Sequence, residues 1–223
     1  MDVCKAAGTD KCLPNSWGDD HRYYSLYEKY LGPLRRTGQT VKLFEIGLGC
    51  DMTYGPGKSV QLWQTYLPHL ELWEAEVDEL CARKFNDTLD GRILVGAQGQ
   101  VPVLHQWLER TRGDFDLIID DGSHLSSDIL TTFLTLFGAG LKDGGVYVIE
   151  DLQGQNAAEA LSAIADWMVD LVSHGKDEQK LRSPPSRKLP KGVLSIDCFR
   201  DACAFVKQKP ARRKRVRQPR LWQ

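Results

Sequence analysis

Between residues 41 and 152 short apolar runs alternate with stretches of helical spacing, and this alternation limits the fold more than any other feature. "VKLFEIG" (41–47), "LELWEAEV" (70–77), "RILVGA" (92–97), "FDLIIDD" (115–121) and "GGVYVIEDL" (144–152) read as strands. Between them, "SVQLWQTYL" (59–67), residues 78–86, "VPVLHQWLERTR" (101–112) and "ILTTFLTLFGAGL" (129–141) read as helices. "FDLIIDD" is apolar on both faces, and a strand of that kind needs cover above and below. Helices on both sides of a parallel sheet supply it. Residues 156–173 give one more helix, with Ala158, Leu161, Ile164, Met168 and Leu171 on one side. A polar, proline-rich loop (177–192) follows, and "VLSIDCF" and "ACAFVKQ" then form a closing hairpin. The predicted class is α/β: a mostly parallel sheet with a C-terminal antiparallel hairpin and helices on both faces.

At 223 residues the chain makes one sizeable domain. Three segments are expected: a helical cap at 1–40 near the substrate entry, a catalytic domain at 41–206, and a basic tail at 207–223. In the cap, Tyr24, Tyr27 and Leu31 at helical spacing predict an amphipathic helix on the sheet's edge. No apolar run reaches the length of a membrane span, and the N-terminal stretch lacks the order of a signal peptide. The six cysteines (4, 12, 50, 81, 198 and 203) form no CxxC pair, which predicts free thiols in a reducing compartment. A cytoplasmic protein is expected, with a nuclear address conceivable from the tail. That tail carries eight basic residues and no acid from Lys207 to Arg220, so the rest of the chain carries roughly −9. An acidic body does not present the basic face of a nucleic-acid-binding domain.

"FEIGLGCDMTYGPGKS" (44–59) admits three ligands. A phosphate loop requires a glycine where Met52 stands, and the dinucleotide fingerprint fails at the same residue. What remains is Glu45, Gly47 and Gly49 at the carboxyl end of the first strand. Ligands of open parallel sheets bind there. The glycines let backbone approach a ligand, and the acid suits an ammonium group. A second acid is needed to accept both hydroxyls of a ribose, and Glu76 at the end of the second strand supplies it, with Glu74 and Asp78 as less favoured alternatives. Glu76 points into the crevice if that strand ends at Ala75.

"IIDDGSH" (118–124) and "VIEDL" (148–152) end the fourth and fifth strands. Neighbouring strands lie about 4.8 Å apart, so Asp121, Glu150 and Asp151 converge, with His124 nearby. Carboxylates this close repel one another unless a cation sits among them, and an all-oxygen set suits Mg²⁺. His124 is then placed to take a proton from a metal-held hydroxyl.

These residues carry a resemblance. Residues 41–152 resemble the Rossmann-like class I methyltransferases that use S-adenosylmethionine. Within that class the chain is similar to the metal-dependent O-methyltransferases of macrolide sugars and to cephalosporin-hydroxylase-like proteins. "TDK" (9–11), "HRYYSLYEKYL" (21–31), "EIGLG" (45–49), "IIDDGSH" and "YVIEDL" match. The resemblance implies Asp121, Glu150 and Asp151 as Mg²⁺ ligands and His124 as catalytic base. It places S-adenosylmethionine on Glu45, Gly47, Gly49, Glu76, Gln98 and Asp120. A small-molecule substrate with a hydroxyl, such as a sugar or natural product, is implied, as is homo-oligomerisation. The chain departs from the pattern at Ala97, where an acid near the adenine amino group is usual, leaving Gln98 for the adenine contact. That departure motivates the alternative of a cofactor-binding protein with little turnover. His21 and Tyr24 stay open between cofactor contact and packing.

Overall fold

The structure is a computed structural model that describes residues 6–12, 21, 23–173 and 187–210. Most of the predicted loop 177–192, and the basic tail beyond Pro210, lie outside the described residues.

The strands are β1 (Val41–Ile46), β2 (Leu70–Glu76), β3 (Ile93–Val95), β4 (Phe115–Asp120), β5 (Leu141–Ile149), β6 (Val193–Phe199) and β7 (Ala202–Lys207). The central strands β1, β4 and the second half of β5 form where the sequence is mostly apolar, whereas β2 alternates with glutamates and β6 is largely partly exposed. The helices are α1 (Tyr24–Thr37), α2 (Lys58–Tyr66), α3 (Glu79–Lys84), α4 (Val101–Thr111), α5 (Ser126–Ala139) and α6 (Ala158–Ser173). The sheet runs β3-β2-β1-β4-β5-β7-β6, with β7 antiparallel to both neighbours and all other pairings parallel. Every residue of β4 is buried, as a strand covered on both faces requires. β5 starts earlier than its apolar run, because Leu141 pairs with Phe115 across an irregularity in the β4–β5 ladder.

Alternation along the strands divides the interior into two cores. Leu43, Leu117, Ile119 and Val148 face α1, α2 and α3, through residues such as Leu26, Leu31, Trp63 and Ala82. Phe44, Ile118, Tyr147 and Phe205 face α4, α5 and α6, where Phe133 lies within 5.2 Å of the rings of Tyr147, Trp167 and Phe205. Each such fully buried side chain contributes about 2 kcal/mol. Helix α1 therefore lies on a face of the sheet, not on its edge. Its stripe packs with Val146, Val148, Ala202 and Ala204, and Lys29 and Tyr30 reach Asp197 on β6.

The cysteines overturn the free-thiol expectation. Cys50 is bonded to Cys81 and Cys198 to Cys203, Cys12 is also disulfide-bonded, and no described cysteine is free. Cys198 and Cys203 are register partners across the β6–β7 hairpin, so the fold juxtaposes them. The argument from free thiols to a reducing compartment falls with this result. Among the described residues no helix is long and apolar enough to cross a membrane. Lys207 closes β7 and donates to the carbonyls of Gly138 and Leu141, so the sheet extends one residue into the segment expected to be tail.

Candidate active site

The chain order reverses at β1, whose neighbours are β2 on one side and β4 on the other. Loops diverge there, and a crevice opens outside the carboxyl ends. Gly47 follows β1 at φ 108°, and a Cβ on it would stand 2.0 Å from the Asp121 carbonyl oxygen. Only glycine allows the β1 and β4 ends to approach this closely. Gly57, the glycine of the Gly-Lys-Ser triplet, caps α2 at φ 77°. A Cβ there would strike the Phe85 ring at 2.4 Å, and its N–H donates to the Leu48 carbonyl at 2.9 Å. The triplet thus closes a turn against α3.

Glu76 is the last residue of β2, one position short of the predicted end at Val77 and one beyond the Ala75 end that would have turned it fully into the crevice. Its carboxylate accepts the N–H groups of Val77 (2.7 Å), Asp78 (3.0 Å) and Leu48 (3.3 Å), tying the glycine loop to the β2 end. Exposed apolar side chains surround it in sequence and register: Val77, Leu80, Val95 opposite Glu76, and Val101 at the start of α4. A carboxylate bordered by apolar surface at a strand end suits a nucleoside.

Three cofactor assignments look different in the structure. Glu45 is fully buried and meets an ammonium, but that of Lys11, at 3.3 Å, while its other oxygen accepts the Trp63 indole N–H at 2.9 Å. Gln98 is also committed internally. Its amide donates to Asp120 (2.7 Å) and Thr132 (3.3 Å), and its carbonyl accepts from Ser123 N–H at 2.8 Å. An adenine contact would have to break one of these bonds. Asp120 is buried, and its second oxygen accepts from Tyr147 at 3.1 Å. Burial pushes the Asp120 carboxyl up to about 6, against both of those hydrogen bonds. Gln98 and Asp120 together latch the loop that carries Asp121 and His124.

The metal assignments divide into two groups. Asp121, His124 and Asp151 each direct one ligand atom into a cluster within 4.8 Å, all three partly exposed. His124 and Asp151 hold positive φ values of 55° and 53°, a conformation that costs non-glycine residues energy and concentrates at functional sites. His124 Nε2 stands 3.7 Å from Asp151. Glu150 lies behind this cluster, buried, where the ammonium of Lys11 and the hydroxyl of Tyr27 each take one of its oxygens. Lys11 also meets Asp121 at 2.6 Å, which makes Asp121 the residue common to both groups. Burial pushes the Asp121 carboxyl up to about 6, with Lys11 and His124 opposing the shift and Asp151 adding to it. Burial alone would lower the Lys11 pKa, but Asp121, Glu150 and Glu45 outweigh it and hold the amine protonated.

The tyrosine-rich segment supplies residues that no spacing rule assigned. Tyr23 donates to Asp151 at 2.7 Å and accepts the Asp151 N–H at 3.2 Å, and His21 Nδ1 lies 3.6 Å from the same carboxylate. Tyr24 packs, partly buried, against the α1–α3 core. The signal was present as "TDK" and "HRYYSLY", but neither motif names its partner.

No family model matches the chain. Among curated proteins, an 8-demethyl-8-(2-methoxy-alpha-L-rhamnosyl)-tetracenomycin-C 3'-O-methyltransferase of Streptomyces olivaceus is 36% identical over 62% of this chain and 34% of its own length. A mycinamicin VI 2''-O-methyltransferase of Micromonospora griseorubida is 27% identical over 84% of this chain and 48% of its own length. These matches therefore span between a third and half of each relative. Among solved structures, the MycE methyltransferase of the mycinamycin pathway, in complex with Mg, SAH and mycinamycin VI, aligns with a TM-score of 0.69. That alignment is 23% identical and covers 93% of this chain and 53% of that one. The chain has the fold of a class I methyltransferase, and in sequence it resembles O-methyltransferases, among them one named for a rhamnosyl-tetracenomycin.

Proposed function

We propose that the chain is an S-adenosylmethionine-dependent, Mg²⁺-dependent O-methyltransferase acting on a hydroxyl of a small molecule, a sugar or another natural product. The observation that carries the reading is the Asp121, His124 and Asp151 cluster beside the glycine turn of a methyltransferase sheet. Gly47, Gly49 and Glu76 would hold the cofactor, with the apolar surface around Val77 and Val95 against its base. Asp121 and Asp151 would hold Mg²⁺, and a hard cation favours these oxygens. When bound, Mg²⁺ lowers the pKa of a hydroxyl and S-adenosylmethionine supplies the methyl group.

The remaining roles belong to the chain's own side chains. His124, beside Asp151 and partly exposed, accepts the hydroxyl proton at Nε2. Tyr23 and His21 hold Asp151 in place from the N-terminal side. Gln98 and Asp120 fix the loop bearing Asp121 and His124, so positioning is built in before substrate arrives. Relatives named for rhamnosyl-tetracenomycins are O-methyltransferases, which favours a sugar hydroxyl.

Isothermal titration of S-adenosylmethionine and its demethylated product, with and without Mg²⁺, tests this on the wild type and on Asp121→Asn. The expected result is micromolar cofactor binding in both proteins, with Mg²⁺ binding lost in the variant. Absence of cofactor binding in the wild type would remove the enzyme reading.

A further inference from the structure

Lys11 is buried, yet its ammonium is not spent on any step of the proposed reaction. It meets carboxylates from three neighbouring strand ends: Glu45 on β1 at 3.3 Å, Asp121 after β4 at 2.6 Å, and Glu150 after β5. Its own turn is fixed by the Thr9 hydroxyl, which accepts the Lys11 N–H at 3.4 Å, and by the Cys12 N–H donating to the Thr9 carbonyl at 3.3 Å. Lys11 thus stands where three acids would otherwise require an outside cation. Asp121, which it shares, also belongs to the outer cluster with His124 and Asp151.

We propose that Lys11 is a resident cation: it holds Glu45, Asp121 and Glu150 together without metal, and by repulsion it limits how tightly the adjoining cluster binds a divalent ion. The second part rests on the metal reading above, whereas the first does not. Two effects of removing its charge oppose each other. Loss of positioning loosens Asp121 and weakens metal binding. Loss of the ammonium removes its repulsion of a doubly charged ion a few ångströms away and leaves three acids to attract that ion. In partly buried surroundings charge interactions over such distances exceed the entropy of one loosened side chain, so tighter binding wins.

The test uses the full chain with Mn²⁺ as the probe. Binding is read by electron paramagnetic resonance, and melting temperature is measured in EDTA and in millimolar Mn²⁺. The wild type is expected to melt at nearly the same temperature in both. Lys11→Met, which keeps length and shape, is expected to melt roughly 10 °C lower in EDTA. It should recover most of that loss with Mn²⁺ and bind the ion at least tenfold more tightly. The double variant Lys11→Met/Glu150→Gln, which removes one charge of each sign, is expected to regain much of the loss and to depend less on metal. If Lys11→Met folds only with Mn²⁺, the proposal is supported. Unchanged or weaker Mn²⁺ affinity, with no recovery in the double variant, would overturn it and leave Lys11 a packing residue. A wild type that binds no Mn²⁺, beside a Lys11→Met protein that does, would sink the metal reading while sustaining Lys11 as the resident cation.

Discussion

Glu74 lies one strand from Glu45 in direct register, and both carboxylates are buried. Burial first, and the Glu45 charge second, raise the Glu74 pKa well above its ordinary 4.5, which favours its protonated form beside Glu45. The native state therefore binds a proton that the unfolded chain releases above pH 4.5. That contribution is fully present below 4.5 and is lost as pH rises through the folded value. Glu74→Gln keeps a donor for Glu45 and cannot ionise. Its stability relative to wild type should increase from pH 5 to pH 8, as read by urea unfolding at both. A constant difference would mean that Glu74 is ionised in the native protein. Gly47→Ala makes the opposite kind of change, forcing a Cβ to 2.0 Å from the Asp121 carbonyl at a φ of 108°. It should cost roughly 3 kcal/mol or more in the same assay, and a loss under about 1 kcal/mol would show that the β1–β4 junction yields easily. At this scale the sequence displayed its acids but not their partners. The convergence of Asp121, Asp151 and His124 was legible because strand ends meet, whereas the internal use of Gln98 and Glu45 depends on side chains from distant positions.

The elements were legible wherever burial on both sides produced a continuous apolar run, and their observed ends differ from the expected ones by a few residues. The placement of α1 was not, because an amphipathic stripe reveals that a face is buried without revealing what covers it. Cysteine pairing was illegible for a related reason: spacing along the chain carries no information about which strand or loop lies opposite. The two resolved bridges should differ in effect. Cys50–Cys81 ties the turn after β1 to α3 across 31 positions, and Cys198–Cys203 closes a hairpin across 5. If each acts by restricting the unfolded chain, removing them costs about 4 and about 2 kcal/mol respectively. Urea unfolding of C50S/C81S and C198S/C203S measures both. Equal losses would show that strain or local packing, not loop length, sets their contribution. The larger loss also concerns the site, because Cys50 follows Gly49 directly and Cys81 lies on the helix after Glu76.

Across the whole molecule, the acidic ends of β1, β4 and β5 are completed from the far end of the chain. Lys11 and Glu150 are 139 positions apart, and Tyr27 and Glu150 are 123 apart. On a ribosome adding about 5–20 residues per second, the lysine waits roughly 7–28 s before its main partner is even made. During that interval its ammonium remains in water, and the β1 end has its glutamate without the acids it will later share a cation with. The acidic cluster consequently cannot close until β5 has been made. A molecule that shows the Lys11 nest has, by that fact, finished β5.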